Sequence, residues 1–211
     1  MLIPLLQKLQ KKEKENLLNR FGWVGMSQEN KDKLRKQYFR MRKSLSRGTV
    51  EIRSYDVEAV LRKVLNDNIT SIMFYMPINN EVDLLPLAVE LYKKGKTVIF
   101  PKILDNNICP YIIRDIEFDF KLGPFNIPEP DTEEYTDTID VVLTPGIVFD
   151  ENGGRIGHGM GFFDRFLSSA NFNLAIGVAF DFQVLDNVPQ EDSDIRLKQI
   201  ATQSGLIEIK D

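Results

Sequence analysis

Several kinds of protein are excluded by what the chain has little of. It carries one cysteine, Cys109, in 211 residues, so no disulfide can form within it. That fits a reducing compartment, and a cytoplasmic location is expected. It has no surplus of cations: 27 Lys and Arg stand against 31 Asp and Glu, a formal charge of −4. Overall charge therefore gives no sign of a polyanionic partner such as nucleic acid. No apolar run is long enough to span a bilayer, so no membrane is expected as a partner. The opening MLIPLL is too short for a secretory core, and QKLQKKEKEN follows it where a small-residue cleavage site would stand. There is no internal repeat and no low-complexity linker, so one domain is expected. The hydrophobic fraction of 43% is ordinary for a globular chain and leaves enough apolar side chains for a sizeable core.

What is present begins with a charged segment. PLLQKLQKKEKENLLNRF reads as an amphipathic helix, FGWVG breaks it, and residues 1–26 read as an extension, helical or disordered. A helix from Lys31 to Ser46 then carries Lys31, Lys33, Arg35, Lys36, Arg40, Arg42 and Lys43 against Asp32 alone. Another from Asp56 to Leu65 has Val57, Val60, Leu61 and Val64 at helical spacing. From there strands and helices alternate. Ser71–Met76, Thr97–Pro101, Asp140–Pro145 and Leu174–Phe180 read as buried strands, and Cys109–Asp115 as an antiparallel or edge strand. Glu81–Lys94 and FFDRFLSSA read as helices, and Gly205–Ile209 as a short closing strand. KLGPFNIPEP and the run GIVFDENGGRIGHGMG read as loops. Such alternation predicts an α/β protein, an open, mostly parallel sheet with helices on both faces.

The segment Arg155-Ile156-Gly157-His158-Gly159-Met160-Gly161-Phe162-Phe163-Asp164 places three alternate glycines between a strand and a helix. Glycines allow close backbone approach, and a helix start offers free N–H groups, so the pattern suits a phosphate. It is neither a Walker A loop nor the dinucleotide fingerprint, and on spacing alone a plain turn explains it equally well. Its place after a strand favours a ligand site. By itself Asp164 reads as a first-turn helix acid, and Asp194 as the start of a helix through IRLKQI. By itself Glu81 reads as a helix N-terminal charge. By themselves Phe162 and Phe163 read as core aromatics of the helix FFDRFLSSA. Asp150, in FDENGG, reads as a turn aspartate.

PGIVFDENGGRIGHGMGFFDRFL resembles the signature of the 5-formyltetrahydrofolate cyclo-ligases, where Pro-Gly-Phe/Ala-Phe-Asp precedes Gly-Arg-Leu-Gly-x-Gly-x-Gly-Tyr-Tyr-Asp. KDKLRKQYFRMRKSLS, YMPINNEVDLLPL, IPEP and IGVAFDFQVLDNVPQEDSDIRLKQIAT resemble further segments of that family, in the same order. The resemblance implies a cyclo-ligase domain over residues 27–211 with a three-layer α/β/α, Rossmann-like sheet of the sugar-phosphate isomerase and CoA-transferase kind. It implies ATP-dependent ring closure of 5-formyltetrahydrofolate, possibly polyglutamylated, with Mg2+, by a monomer or weak homodimer.

It further implies that Lys31, Asp32, Lys33, Leu34 and Arg35 from the basic helix, with Arg155, Ile156, Gly157, His158, Gly159, Met160, Gly161, Phe162 and Phe163, bind ATP. Lys31, Arg35 and Arg155 would act on the phosphates. Glu81 and Phe162 would bind the folate, and Asp164 and Asp194 would bind Mg2+. On chemistry alone, Lys33 reads as well as a solvated cation. His158 and Met160 stand at variable family positions, and Phe162 and Phe163 replace paired tyrosines, losing their hydroxyls. Rival readings are another enzyme of the same fold, a non-catalytic folate or nucleotide binder, and an RNA-binding protein.

Overall fold

The computed structural model describes residues 23–191 and 194–210, so the helix expected before Trp23 lies outside the described residues. Helix α1 runs Trp23–Lys43, so from Trp23 on the FGWVG stretch is helical and does not break the chain. Helix α2 runs Arg47–Val64, nine residues earlier than the apolar spacing indicated. Its start is set by Ser46, whose Oγ accepts the Thr49 N–H at 3.2 Å, satisfying one of the free donors of the first turn. Val50, Val57 and Leu61 form its buried stripe.

Strand β1 (Ser71–Met73) is shorter than expected. Helix α3 (Leu85–Lys93) starts four residues after Glu81. Asp83 accepts the Leu85 N–H at 3.0 Å, and Pro86 sits in the first turn, where its missing donor costs nothing. Strands β2 (Thr97–Leu104) and β3 (Asn107–Ile112) form a hairpin. Its two-residue turn, Asp105-Asn106, has positive φ at both positions (47° and 62°), the conformation that suits the twist of a tight hairpin.

The stretch expected to be loop at KLGPFNIPEP holds a small hairpin instead, β4 (Phe120–Leu122) against β5 (Pro128–Pro130). Strand β6 follows (Ile139–Pro145). The next expected loop contains β7 (Val148–Asp150) and β8 (Arg155–Ile156), an antiparallel pair. Asp150 shapes the turn between them. Its carboxylate accepts the Asn152 and Gly154 N–H groups at 2.9 and 2.7 Å, and that of Val188 at 2.8 Å. Helix α4 is Phe162–Ser169 and β9 is Phe172–Val178. Strand β10 (Val184–Leu185) pairs with β7. The helix expected from Asp194 through IRLKQI is absent; Gln199–Thr202 is strand β11, paired parallel with β9 and antiparallel with β12 (Gly205–Glu208). Ile200 and Ala201 are fully buried there, so pairing inside the sheet overrides the local helical spacing.

The main sheet has the order β12-β11-β9-β6-β1-β2-β3. Its five inner strands are parallel, and both edge strands, β12 and β3, are antiparallel. One face carries α2 and α3, with Val57, Leu61, Leu87 and Leu91 packed on Ile72, Val98, Val141 and Ile176. The other carries α4, with Phe166 and Leu167 packed on Met73, Val142 and Ile200. The molecule is therefore one α/β/α domain. Helix α1 stands apart from both layers and seats Tyr38 on Ile147, Val148, Ile156 and Val188 around the β7–β8 hairpin.

Candidate functional site

Counted in chain order, the five parallel strands lie 2-1-3-4-5. The chain therefore winds in opposite directions from the gap between β1 and β6, and a crevice opens beyond the C-terminal ends of those two strands. A cleft of about 880 Å³ lies there. Its walls come from the segment after β1 (Tyr75, Met76, Ile78, Glu81), the glycine turn after β8, helix α1 and the β4–β5 hairpin.

The glycine turn is held open by backbone geometry. Gly159 and Gly161 have φ of +100° and +65°, a region costly for side chains with a Cβ. Gly161 caps α4 in that conformation. Among the described residues none of the backbone N–H groups from Gly157 to Phe163 donates to a protein acceptor, so the turn offers a row of donors at a helix start.

Helix α1 delivers cations to the same turn. Arg35 Nε donates to the Gly157 carbonyl at 2.8 Å, and Lys31, only 6% exposed, donates to Asp194 Oδ2 at 2.6 Å. Glu191 lies 3.4 Å from the same ammonium. Arg155 is as buried as Lys31. Its Nη2 donates to Asp164 Oδ1 at 2.6 Å, and its Nε has no partner among the described residues. Burial pushes the Arg155 pKa down, opposed by the charges of Asp164 and Asp194.

Glu81 is buried and precedes α3 by a full turn, so its reading as a helix-start charge is corrected. Its Oε2 accepts the Ile78 N–H at 3.0 Å. Its Oε1 lies 3.0 Å from His158 Nε2 and 3.3 Å from Arg42 Nη2. His158 thereby ties the glycine turn to the loop after β1. Phe162 lines the cleft under the Arg165 guanidinium, 5.2 Å from its ring centre. Phe163 also lines the cleft, while its ring packs on both hydrophobic cores.

All nine residues from Arg155 to Phe163 line the cleft, with Lys31, Arg35, Glu81, Asp164 and Asp194. Three expected ATP contacts do not. Lys33 is 68% exposed and pairs with Glu29. Asp32 pairs with Arg35 at the helix surface. Leu34 packs under α1 against the cluster around Tyr38. The helical period explains Asp32 and Lys33, which turn away from the stripe that 31 and 35 share, while Leu34 lies beside that stripe and faces the apolar cluster.

That stripe continues to Tyr38 and Arg42, and Arg42 was missed as a site residue. It is fully buried, donating Nε to the Asn79 carbonyl at 3.0 Å and Nη1 to that of Gly146 at 2.9 Å. The spacing 31-35-38-42 carries the signal. Glu129, in IPEP, is a second missed residue: it lines the cleft at 8% exposure.

Among the described residues no cluster of three or more His, Cys, Asp or Glu side chains is arranged to hold a metal. Asp164 and Asp194 each keep one carboxylate oxygen without a hydrogen bond among the described residues. Two hard oxygen donors suit Mg2+ when a nucleotide's phosphates and waters complete the shell, so the residues fit such an ion only with that ligand.

The model of the 5-formyltetrahydrofolate cyclo-ligase family matches residues 27–203. The chain is similar to the 5-formyltetrahydrofolate cyclo-ligase of Saccharomyces cerevisiae, 26% identical over 204 residues, which cover 84% of this chain and 97% of the yeast protein. It is similar to that of Escherichia coli, 28% identical over 151 residues, covering 65% and 80%. Of solved structures, Aquifex aeolicus 5,10-methenyltetrahydrofolate synthetase superposes with a TM-score of 0.74 at 32% identity, covering 86% of this chain and 93% of that one. The Mycoplasma pneumoniae 5,10-methenyltetrahydrofolate synthetase shares the fold, with a TM-score of 0.67 at 24% identity, covering 82% and 99%.

Proposed function

The chain belongs to the 5-formyltetrahydrofolate cyclo-ligase family, and from that premise we propose that it converts 5-formyltetrahydrofolate and ATP to 5,10-methenyltetrahydrofolate, ADP and phosphate. The observation that carries this reading is the tie between Arg35 and the Gly157 carbonyl, which brings the basic helix and the glycine turn to one cleft.

The chemical difficulty is that an amide oxygen leaves poorly. Transfer of the γ-phosphoryl group onto the formyl oxygen, with ADP departing, makes an imidate phosphate. N10 of the folate then attacks the formyl carbon, loses its proton, and phosphate leaves with the oxygen. No protein nucleophile is required, which suits a chain with one His and one Cys. The protein has to align two bound molecules and neutralise spreading phosphoryl charge.

In this reading the N–H groups of Gly157–Phe163 cradle the phosphates, and Lys31, Arg35 and Arg155 supply positive charge. Asp164 and Asp194 would hold Mg2+, which would neutralise phosphate oxygens. Glu81 accepts N–H donors of the folate, and the Phe162 ring packs on its flat face. The substrate is a folate with one or several glutamates, and the enzyme acts in the cytoplasm as a monomer or weak homodimer.

The test is direct. Purified protein is mixed with 5-formyltetrahydrofolate, Mg2+ and ATP, and methenyl absorbance is followed. The expected result is product that requires ATP; absence of ATP-dependent product overturns the proposal.

A further inference from the structure

Two carboxylates are buried in the wall of the cleft, and they differ in how far their charge is satisfied. Glu81 has a donor at Oε2 and a fully buried guanidinium beside Oε1, with His158 sharing that oxygen. Glu129 is left with much less. Its Oε1 accepts the Ile103 N–H at 3.1 Å, and among the described residues its Oε2 has no hydrogen bond and no cation lies in ion-pair range.

The cations nearest in sequence and across the sheet are occupied elsewhere. Lys121, opposite Glu129 in the β4–β5 hairpin, pairs with Asp131. Lys102 lies over the Tyr111 ring, 4.8 Å from its centre. The Glu129 side chain rests directly on the backbone of Gly123, where a Cβ would come within 2.5 Å of Oε2. The glycine of KLGPF is therefore needed to seat this carboxylate.

Apolar residues adjoin it in the cleft wall: Ile103, whose N–H it accepts, and its chain neighbours Ile127 and Pro128, with Pro101 and Ile108 also lining the cleft. A carboxylate in such surroundings is costly unless a ligand supplies donors. Two parallel N–H groups on a flat ring match both demands, since the ring fills the apolar slot and the donors meet the acceptor.

We propose that Glu129 is a specificity-determining residue that receives the amino-pyrimidinone edge of the folate's pterin, its 2-amino group and adjacent ring N–H. This rests on the folate reading above and divides the work of the two glutamates. Glu129 orients the ring edge, while Glu81 takes up a donor once His158 gives way.

The test uses Glu129→Gln, which keeps an oxygen for the Ile103 N–H but presents an N–H to the incoming donors. Loss of a charged hydrogen bond is expected to raise the Michaelis constant for 5-formyltetrahydrofolate by roughly tenfold or more, with the constant for ATP unchanged. The second arm compares the parent folate with an analogue lacking the 2-amino group, read by calorimetric binding without turnover. Wild-type protein should bind the analogue at least about tenfold more weakly, and E129Q should barely discriminate. Equal discrimination by both proteins overturns the inference. So does equal binding of the two ligands by wild type, a result that needs no variant to fold. The proposed reaction and the pterin contact fail separately, because binding is read directly. Wild type that binds folate without cyclising it overturns the reaction, while the comparison of the two ligands still decides the contact.

Discussion

Arg42 is fully buried and pairs with the cleft-lining carboxylate of Glu81, 3.3 Å away. Burial lowers its pKa and Glu81 raises it, yet a guanidinium stays charged at any pH the fold meets. Removing it leaves the Glu81 carboxylate buried with no full charge opposite. Arg42→Leu is expected to cost about 3–5 kcal/mol, read as a lower urea midpoint, and adding Glu81→Gln should recover part of the loss. An unchanged midpoint in Arg42→Leu would show that the pair is not coupled. In the sequence Arg42 is one cation among seven in KDKLRKQYFRMRKS, and composition cannot single it out. Only its phase, in line with Lys31, Arg35 and Tyr38, sets it apart. Asp164 is the opposite case, visible in sequence because it follows the glycines. Asp164→Asn keeps an oxygen for the Arg155 donor, so the fold should survive. Turnover at limiting Mg2+ should fall about tenfold to a hundredfold, measured by the absorbance assay; wild-type turnover there would remove Asp164 from the metal site.

At the level of elements, the register of the central strands is pinned by one carboxylate. Asp140, at the start of β6, accepts the Thr70 N–H and hydroxyl at 2.7 and 2.8 Å and the Ser71 N–H at 3.0 Å, just where β1 begins. Asn173 on β9 donates to its other oxygen at 3.2 Å. Burial alone would raise the Asp140 pKa, but these donors outweigh it and hold it below the ordinary value. The depressed folded pKa means the contribution is present above about pH 4 and is lost as pH falls through the folded value. Asp140→Asn should therefore be less stable than wild type at neutral pH, and the gap in unfolding midpoint should close progressively below about pH 4. A gap constant down to low pH would show that charge plays no part. Strands like β6 and β9 were legible because their centres, VVL in DVVLTP and the run LAIGVAF, are continuously apolar, as strands covered on both faces must be. The β4–β5 and β7–β8 hairpins were not, because Gly, Pro, Asn and Asp dominate KLGPFNIPEP and FDENGG. Their pairing is set by what they dock on: Glu129 against Gly123 and Ile103, and Asp150 against Val188.

Across the whole molecule, the cleft exists because α1, which belongs to neither layer of the sandwich, is fastened over the sheet at separate points. Lys31 grips Asp194, Arg35 grips Gly157, and Arg42 grips Asn79 and Gly146. That α1 and the glycine turn would meet was implied by the family resemblance. No periodicity within either segment shows it, since the meeting depends on how a 2-1-3-4-5 sheet brings distant loops to one crevice. A ligand that bridges helix and turn adds a further fastening, and its binding free energy becomes folding free energy. At a hundredfold excess over its dissociation constant, Mg2+ with ATP should add about 2.7 kcal/mol. For a chain of this length that corresponds to a rise of roughly 5–10 °C in melting temperature. Arg35→Ala removes the tie to Gly157 along with one cation, so it should lower the melting temperature of the free protein and also shrink the nucleotide-induced rise. Those two effects separate structure from binding: a variant that melts earlier but gains the full rise would show that Arg35 only anchors the helix. Absence of any rise in wild type would mean that helix and turn, although joined, do not enclose a nucleotide.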